Sequence, residues 1–194
     1  MNVVAKPLPR MTADAFYELT DLGPVEGKVE LVDGRIRMQH YASDAHGTIQ
    51  ANFAGLIRNH LIAKRPGCRV VTEGGVQTRL NAKHNVRRPD VTVTCSPPAQ
   101  GQRAVPNPVL IVQVMSPNNV EEQWESIRAL AHVISIREIV VAESETVEVQ
   151  VFRRQTDNNW PAEPERVGPG GTVRLASLDH DIAAADIYWG TALA

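Results

Sequence analysis

Apolar residues along this chain recur with two periods. Val91–Cys95 and Val109–Met115 are short, β-branched apolar runs bounded by Pro and Ser, which predicts buried strands. Their continuous apolar character calls for cover on both faces, so they are expected to be neighbours in the middle of a sheet. A 3.6-residue period appears in three places. Ala13 to Leu22, with Thr12 as cap, would bury Phe16 and Leu19. Ser43 or Asp44 to about Lys64 would bury Ile49, Phe53, Leu56, Ile57, His60 and Leu61. After Ser116-Pro117, with Asn118 or Asn119 as cap, the stripe is Val120, Trp124, Ile127, Leu130 and Ala131.

Shorter alternating segments fill the rest. Lys28–Val32 and Arg35–Gln39 flank Asp33-Gly34, a strong hairpin signal. In the first arm Val29 and Leu31 face one way and Lys28, Glu30 and Val32 the other. Cys68–Thr72 and Val76–Leu80 read as a strand pair around Gly74-Gly75, and Arg137–Ala142 and Val147–Arg153 as an antiparallel pair around Glu143–Thr146. Residues 1–10 form an extended arm, and Thr156–Gly171 a loop. Thr172–Leu175 is a last short strand and Ile182–Trp189 a final turn or two of helix. The order of elements predicts an α/β fold with a mixed central sheet flanked by helices, as one domain over 1–194.

Composition sharpens this only in places. The chain has 194 residues, 43% of them hydrophobic, enough for one compact core. A formal charge of −2 leaves no overall basic signature, so any contact with DNA needs a local patch. Asn81–Arg88, with Lys83, His84, Arg87 and Arg88, is the one dense basic run, and it leads into Pro89-Asp90. Cys68 and Cys95 lie far apart in apolar segments, so buried, inert thiols are expected rather than a disulfide or a zinc site. No apolar run approaches the roughly 18–20 residues that span a membrane, and MNVVAKPLPRMT lacks a signal-peptide core. A soluble cytoplasmic protein is the expectation.

The candidate chemistry lies on the two central strands. Asp90 follows Pro89 at the mouth of the first, and Gln113 sits within the second among Ile111, Val112, Val114 and Met115. A polar group there is costly without a partner. A carboxylate at a strand end, with a polar residue on the adjacent strand, suggests metal-assisted phosphodiester hydrolysis. Mg²⁺ takes hard oxygen ligands and polarises a phosphate, and a lysine would steady the transition-state charge. The second position should be Asp or Glu, and here it is Gln113. On spacing alone His46 is a solvated residue in the first helical turn.

Several segments together resemble the Uma-two family of restriction-endonuclease-like proteins, a branch of the PD-(D/E)xK nucleases. They are KVELVDG at 28–34, DAHG at 44–47, RRPDVTVTC at 87–95, LIVQVMSP at 110–117, SIREIVV at 135–141 and VEVQVFRR at 147–154, closed by LASL at 175–178 and ADIY at 185–188. The resemblance implies a metal site for Mg²⁺ or Mn²⁺ at Asp90 and residue 113, DNA as substrate, and a homodimer. It also places Glu30 and His46 beside that site, with a cross-strand Arg or Lys partner as the alternative for Glu30. Two departures stand out. The family's E-V-x-S reads Gln113-Val114-Met115-Ser116, and its helix lysine falls at Ser126. Asp90, Gln113 and Ser126 are thus the expected catalytic positions, with metal held weakly if at all. Glu121, Glu122 and Glu125 are the carboxylates that could compensate, and Arg128 the cation, although an arginine cannot serve as a base. Cleavage is expected to be lost or severely reduced. The alternative is a silent relative that binds nucleic acid or regulates an active nuclease as its dimerisation partner.

Overall fold

The computed structural model describes residues 9–23, 27–39, 43–78 and 80–194. In chain order the elements are α1 (Ala13–Asp21), β1 (Val29–Val32), β2 (Arg35–Met38), α2 (Asp44–Lys64), β3 (Arg69–Thr72), β4 (Val76–Gln77), a 3₁₀ turn at Ala82–His84, β5 (Val86–Arg87), β6 (Val91–Thr94), β7 (Pro108–Met115), α3 (Val120–Ala131), β8 (Glu138–Glu143), β9 (Val149–Arg153), β10 (Glu165–Val167), β11 (Thr172–Leu175), β12 (His180–Ala183) and α4 (Ala184–Ile187). Much of the N-terminal arm lies outside the described residues.

A six-stranded sheet in the order β10-β9-β8-β7-β6-β3 carries the core. β7 and β8 are parallel, joined by a crossover through α3, and the other pairs are antiparallel. The two apolar runs are therefore adjacent, as their pattern requires, and every residue of β6 is buried. Alternation along β7 sorts its two faces. Leu110, Val112 and Val114 join Ile49, Phe53, Ile57 and Leu61 of α2, while Ile111 and Met115 join Ile127 and Leu130 of α3. A smaller sheet, β2-β1-β5-β4, packs Val29, Leu31 and Val86 against Ala13, Phe16 and Tyr17 of α1. β11 and β12 form a separate hairpin.

Local signals explain the joints. Asp33 and Gly34 take φ of 47° and 77°, and two positive values in succession suit a hairpin turn whose twist matches its strands. Thr12 caps α1 by accepting from Ala15 N–H, and Ser43 caps α2 by accepting from His46 N–H.

Several expectations change. Leu19 of α1 is exposed, and Tyr17 takes the buried place beside Phe16. β3 and β4 do not pair with each other: β3 joins β6 and β4 joins β5. The chain bends between them at Glu73, whose φ is 51°. A Cβ on Gly75 would sit 2.5 Å from the Tyr17 hydroxyl, so the backbone comes close to α1 there. Cys68 and Cys95 form a disulfide rather than buried thiols. Arg69 faces Thr94 across β3 and β6, so the two cysteines are the next facing pair, at the sheet's edge. Their apolar neighbours suggested burial, yet Cys68 is half-buried and Cys95 exposed. The loop before β11 contains β10, and Ile182 belongs to β12 rather than to the last helix. Ile187 and Tyr188 are buried, whereas Trp189 is 72% exposed. Burial raises the Tyr188 pKa to about 12, and its hydroxyl donates to the Glu148 carbonyl. No helix among the described residues is long and apolar enough to cross a membrane.

Candidate active site at Asp90

Register brings the first two candidates together. Val91 pairs with Val112, so Asp90 comes opposite Gln113 at the end of β6. Asp90 is fully buried. Gln113 Nε2 donates to Asp90 Oδ2 at 2.7 Å, and the Val114 N–H donates to the same oxygen at 2.7 Å. The polar residue inside the apolar strand thus has a charged partner. An ionised carboxylate only accepts, which fixes the amide with its NH₂ toward Asp90.

The other oxygen meets Lys28 and His46. Lys28 Nζ donates to Asp90 Oδ1 at 2.6 Å, and His46 Nε2 lies 3.3 Å from it. His46 is buried rather than solvated, and its Nδ1 is 2.9 Å from Ser116 Oγ. In the neutral ring the carboxylate keeps the proton on Nε2, so the Ser116 hydroxyl donates to Nδ1. Burial works against the Asp90 charge. The Lys28 ammonium and the His46 contact outweigh it and hold the carboxyl below the usual range.

This cluster forms one wall of a cleft of about 390 Å³, lined also by Glu73, Ser116, Asn118, Asn119 and Gln123. Gln123 Oε1 accepts from the Ser116 N–H, which ties the end of β7 to α3. Gln50 Nε2 donates to the Asp90 carbonyl and, at 3.4 Å, to Glu73 Oε1.

Ser126 and Glu30 belong to a second buried hydrogen-bond cluster. The Ser126 hydroxyl is 2.8 and 3.1 Å from the two Glu30 oxygens. Glu30 also accepts from the Arg88 N–H at 2.9 Å and from Arg37 Nη2 at 3.0 Å. Arg37 continues to Glu125 at 2.7 Å, and buried Arg87 reaches the Leu31 carbonyl and Asn85. No hydrogen bond joins Ser126 to Asp90 or Gln113 among the described residues. The three helix glutamates do not reach Asp90 either. Glu125 belongs to the Arg37 cluster, Glu121 pairs with Arg128, and Glu122 is exposed.

Sequence reasoning missed Lys28, Ser116 and Glu73. Alternation on the first hairpin already put Lys28 on the face of Glu30, but nothing local showed that this face meets Asp90. The basic run is also resolved differently. Arg87 is buried, and Arg88 lies over the Phe16 ring at 5.7 Å, so neither is a free phosphate contact.

Restriction-endonuclease-like families generally use divalent metals. As arranged, these residues do not fit one. A carboxylate offers about four acceptor positions, and Asp90 already accepts three hydrogen bonds, with His46 3.3 Å from Oδ1. Gln113 adds no charge, and no group of three or more His, Cys, Asp or Glu suited to a metal occurs among the described residues.

No curated protein matches the chain. Among solved structures it is similar to "a putative nuclease belonging to DUF820" from Anabaena variabilis ATCC 29413. The TM-score is 0.69 and the identity 18%, over 92% of this chain and 97% of that one, which shows a shared fold. The Uma2 family profile, described as "Putative restriction endonuclease", matches residues 13–181. That span runs from the first residue of α1 into β12 and takes in both Asp90 and the crossover through α3, so the chain belongs to the Uma2 family.

Proposed function

We propose that the chain is a restriction-endonuclease-like protein whose metal-dependent cleavage of DNA is lost or severely impaired. The observation that carries this is the bonding of Asp90, the one acid of the Asp90–Gln113 pair, whose two oxygens already accept from Lys28, Gln113 and Val114, with His46 beside them. A metal-bound phosphate would find one carboxylate instead of two. Losing a single preorganised electrostatic group typically lowers kcat about 10²–10³-fold.

The test is plasmid nicking with Mg²⁺ and with Mn²⁺ on the parent and on Asp90→Asn. The parent is expected near background. Efficient cutting by the parent that Asp90→Asn abolishes would show an active nuclease and end this reading.

A second function, as a regulatory dimerisation partner, is favoured by Trp189, a large exposed aromatic held beside α2 through Asn52, whose amide donates to the Ile187 and Trp189 carbonyls. Light scattering at high micromolar concentration decides it. A dimer that Trp189→Ser dissociates supports the interface, and a strict monomer removes it.

A further inference from the structure

We propose that Lys28 is a resident cation that keeps divalent metal off Asp90, so that the cleft carries two locks, Lys28 and Gln113, rather than the single one that the change at position 113 suggests. The idea rests on the reading of the site as a metal-nuclease site with impaired metal binding, and deepens it by naming the group that competes with the ion.

Lys28 reaches the site from a different sheet. It immediately precedes β1, on the face shared with Glu30, and its chain crosses to the end of β6 to place Nζ 2.6 Å from Asp90 Oδ1. Its side chain is 11% exposed, and Asp90 is its one ion-pair partner among the described residues. The same oxygen faces His46, and the opposite oxygen is held by the Gln113 amide and the Val114 N–H. Mg²⁺ must approach a carboxylate oxygen to about 2.1 Å. On Oδ1 it would share its ligand with an ammonium, and like charges on one buried oxygen repel strongly. On Oδ2 it would have to displace two short hydrogen bonds.

Charge makes the two locks unequal. Gln113→Glu alone replaces a donor by a second carboxylate facing Asp90. The nearest cation able to balance that pair is Lys28, already in contact, so the ammonium becomes shared between two acids and is held more firmly. Lys28→Gln alone frees Oδ1 but leaves one carboxylate, too little charge for tight binding. Together the two changes leave two acids and no ammonium, which is the arrangement a hard divalent ion selects.

The experiment measures Mn²⁺ binding by calorimetry on the full chain for the parent, Gln113→Glu, Lys28→Gln and the double variant. Lys28→Arg is the charge-retaining control, and circular dichroism confirms folding. The parent, Gln113→Glu and Lys28→Arg are expected to bind weakly. The double variant should bind at least about tenfold tighter than Gln113→Glu. Equal affinity of Gln113→Glu and the double variant would overturn the proposal, and so would tight binding by the parent. Should Lys28→Gln fail to fold, Gln113→Glu/Lys28→Arg against Gln113→Glu/Lys28→Met decides in the same way, with only the methionine variant expected to gain affinity. Because the readout is ion affinity, it separates from the nicking assay. A parent that cuts DNA, with the double variant still binding more tightly than Gln113→Glu, refutes the inactivity and keeps the lock.

Discussion

Asp90 and Glu30 are two acids in equally dry places, 0% and 1% exposed, yet they are built for different ends. Their cationic neighbours come from one hairpin, Lys28 just before β1 and Arg37 on β2, directly across from Glu30. Glu30 is sealed beneath α3, with Ser126 and the Arg88 N–H on one oxygen and Arg37 on the other. Its network joins the small sheet to the crossover helix. Asp90 lies at the wall of a cleft that its cationic partner Lys28 also lines. Burial alone therefore does not mark a functional acid. The distinguishing feature is whether the groups around it have somewhere else to go.

The sharpest way to break the contrast is to delete each acid. Glu30→Ala strands the Arg88 N–H and the Ser126 hydroxyl and leaves Arg37 with Glu125 as its remaining ion-pair partner, and should cost about 3–5 kcal/mol, as expected when one member of a buried ion pair is removed. Asp90→Ala should cost less, about 2 kcal/mol, because Lys28 can turn into the cleft and be hydrated. Urea unfolding of both variants checks the order. A larger loss at Asp90 would mean that the cleft is sealed and the contrast false.

A smaller effect is expected from Ser126→Lys. The new side chain enters the Glu30 cluster rather than the Asp90 cleft and adds bulk at a buried position, with a cost of about 1–2 kcal/mol. Nicking should stay at background. A clear gain in cleavage would place residue 126 functionally with Asp90, and the two clusters would have to be treated as one.

The smallest effect is in the acid limb of the stability curve. The Asp90 carboxyl is held below its ordinary value, chiefly by Lys28 and His46 against the opposing effect of burial. Its contribution is present above the unfolded carboxylate pKa, about 3.9, and is lost as pH falls through the lower folded value. Asp90→Asn should flatten that part of the curve, measured as unfolding midpoint against pH between about 2 and 5. An unchanged slope would assign acid sensitivity to other groups.

How much was legible in the chain follows from the range of each contact. The pairing of β6 with β7 was readable because unbroken apolar strands need two covered faces, and Gln113 announced itself as a polar residue requiring a partner. Asp33-Gly34 specified its hairpin through backbone preference alone. Lys28 was not readable as a site residue, because its partner is 62 positions away on another sheet. The pairing of Ser126 with Glu30 was hidden for the same reason, since it spans 96 positions. Counting along α3 gives a position but not a direction. The cysteines were misjudged because apolar neighbours signal a strand without saying whether it is central or at an edge. Arg87 and Arg88 looked like a solvated basic loop, yet β5 turns Arg87 inward.

The Cys68–Cys95 bond also gives this part of the molecule a topology that the other strands lack. The chain between the two sulfurs is a closed covalent ring holding β4, β5, Glu73 and Asp90, whereas Lys28, His46, Gln113 and Ser126 all lie outside it. One cut of the backbone within the ring leaves a single molecule, its two pieces joined through the disulfide. The same cut after reduction yields two chains that only packing holds together. Closing a ring with a sequence separation of 27 restricts the unfolded chain by an amount worth about 3–4 kcal/mol in the entropy picture. The acid at the centre of the site is thus tethered by covalent connectivity, and the cation that faces it by a single ion pair.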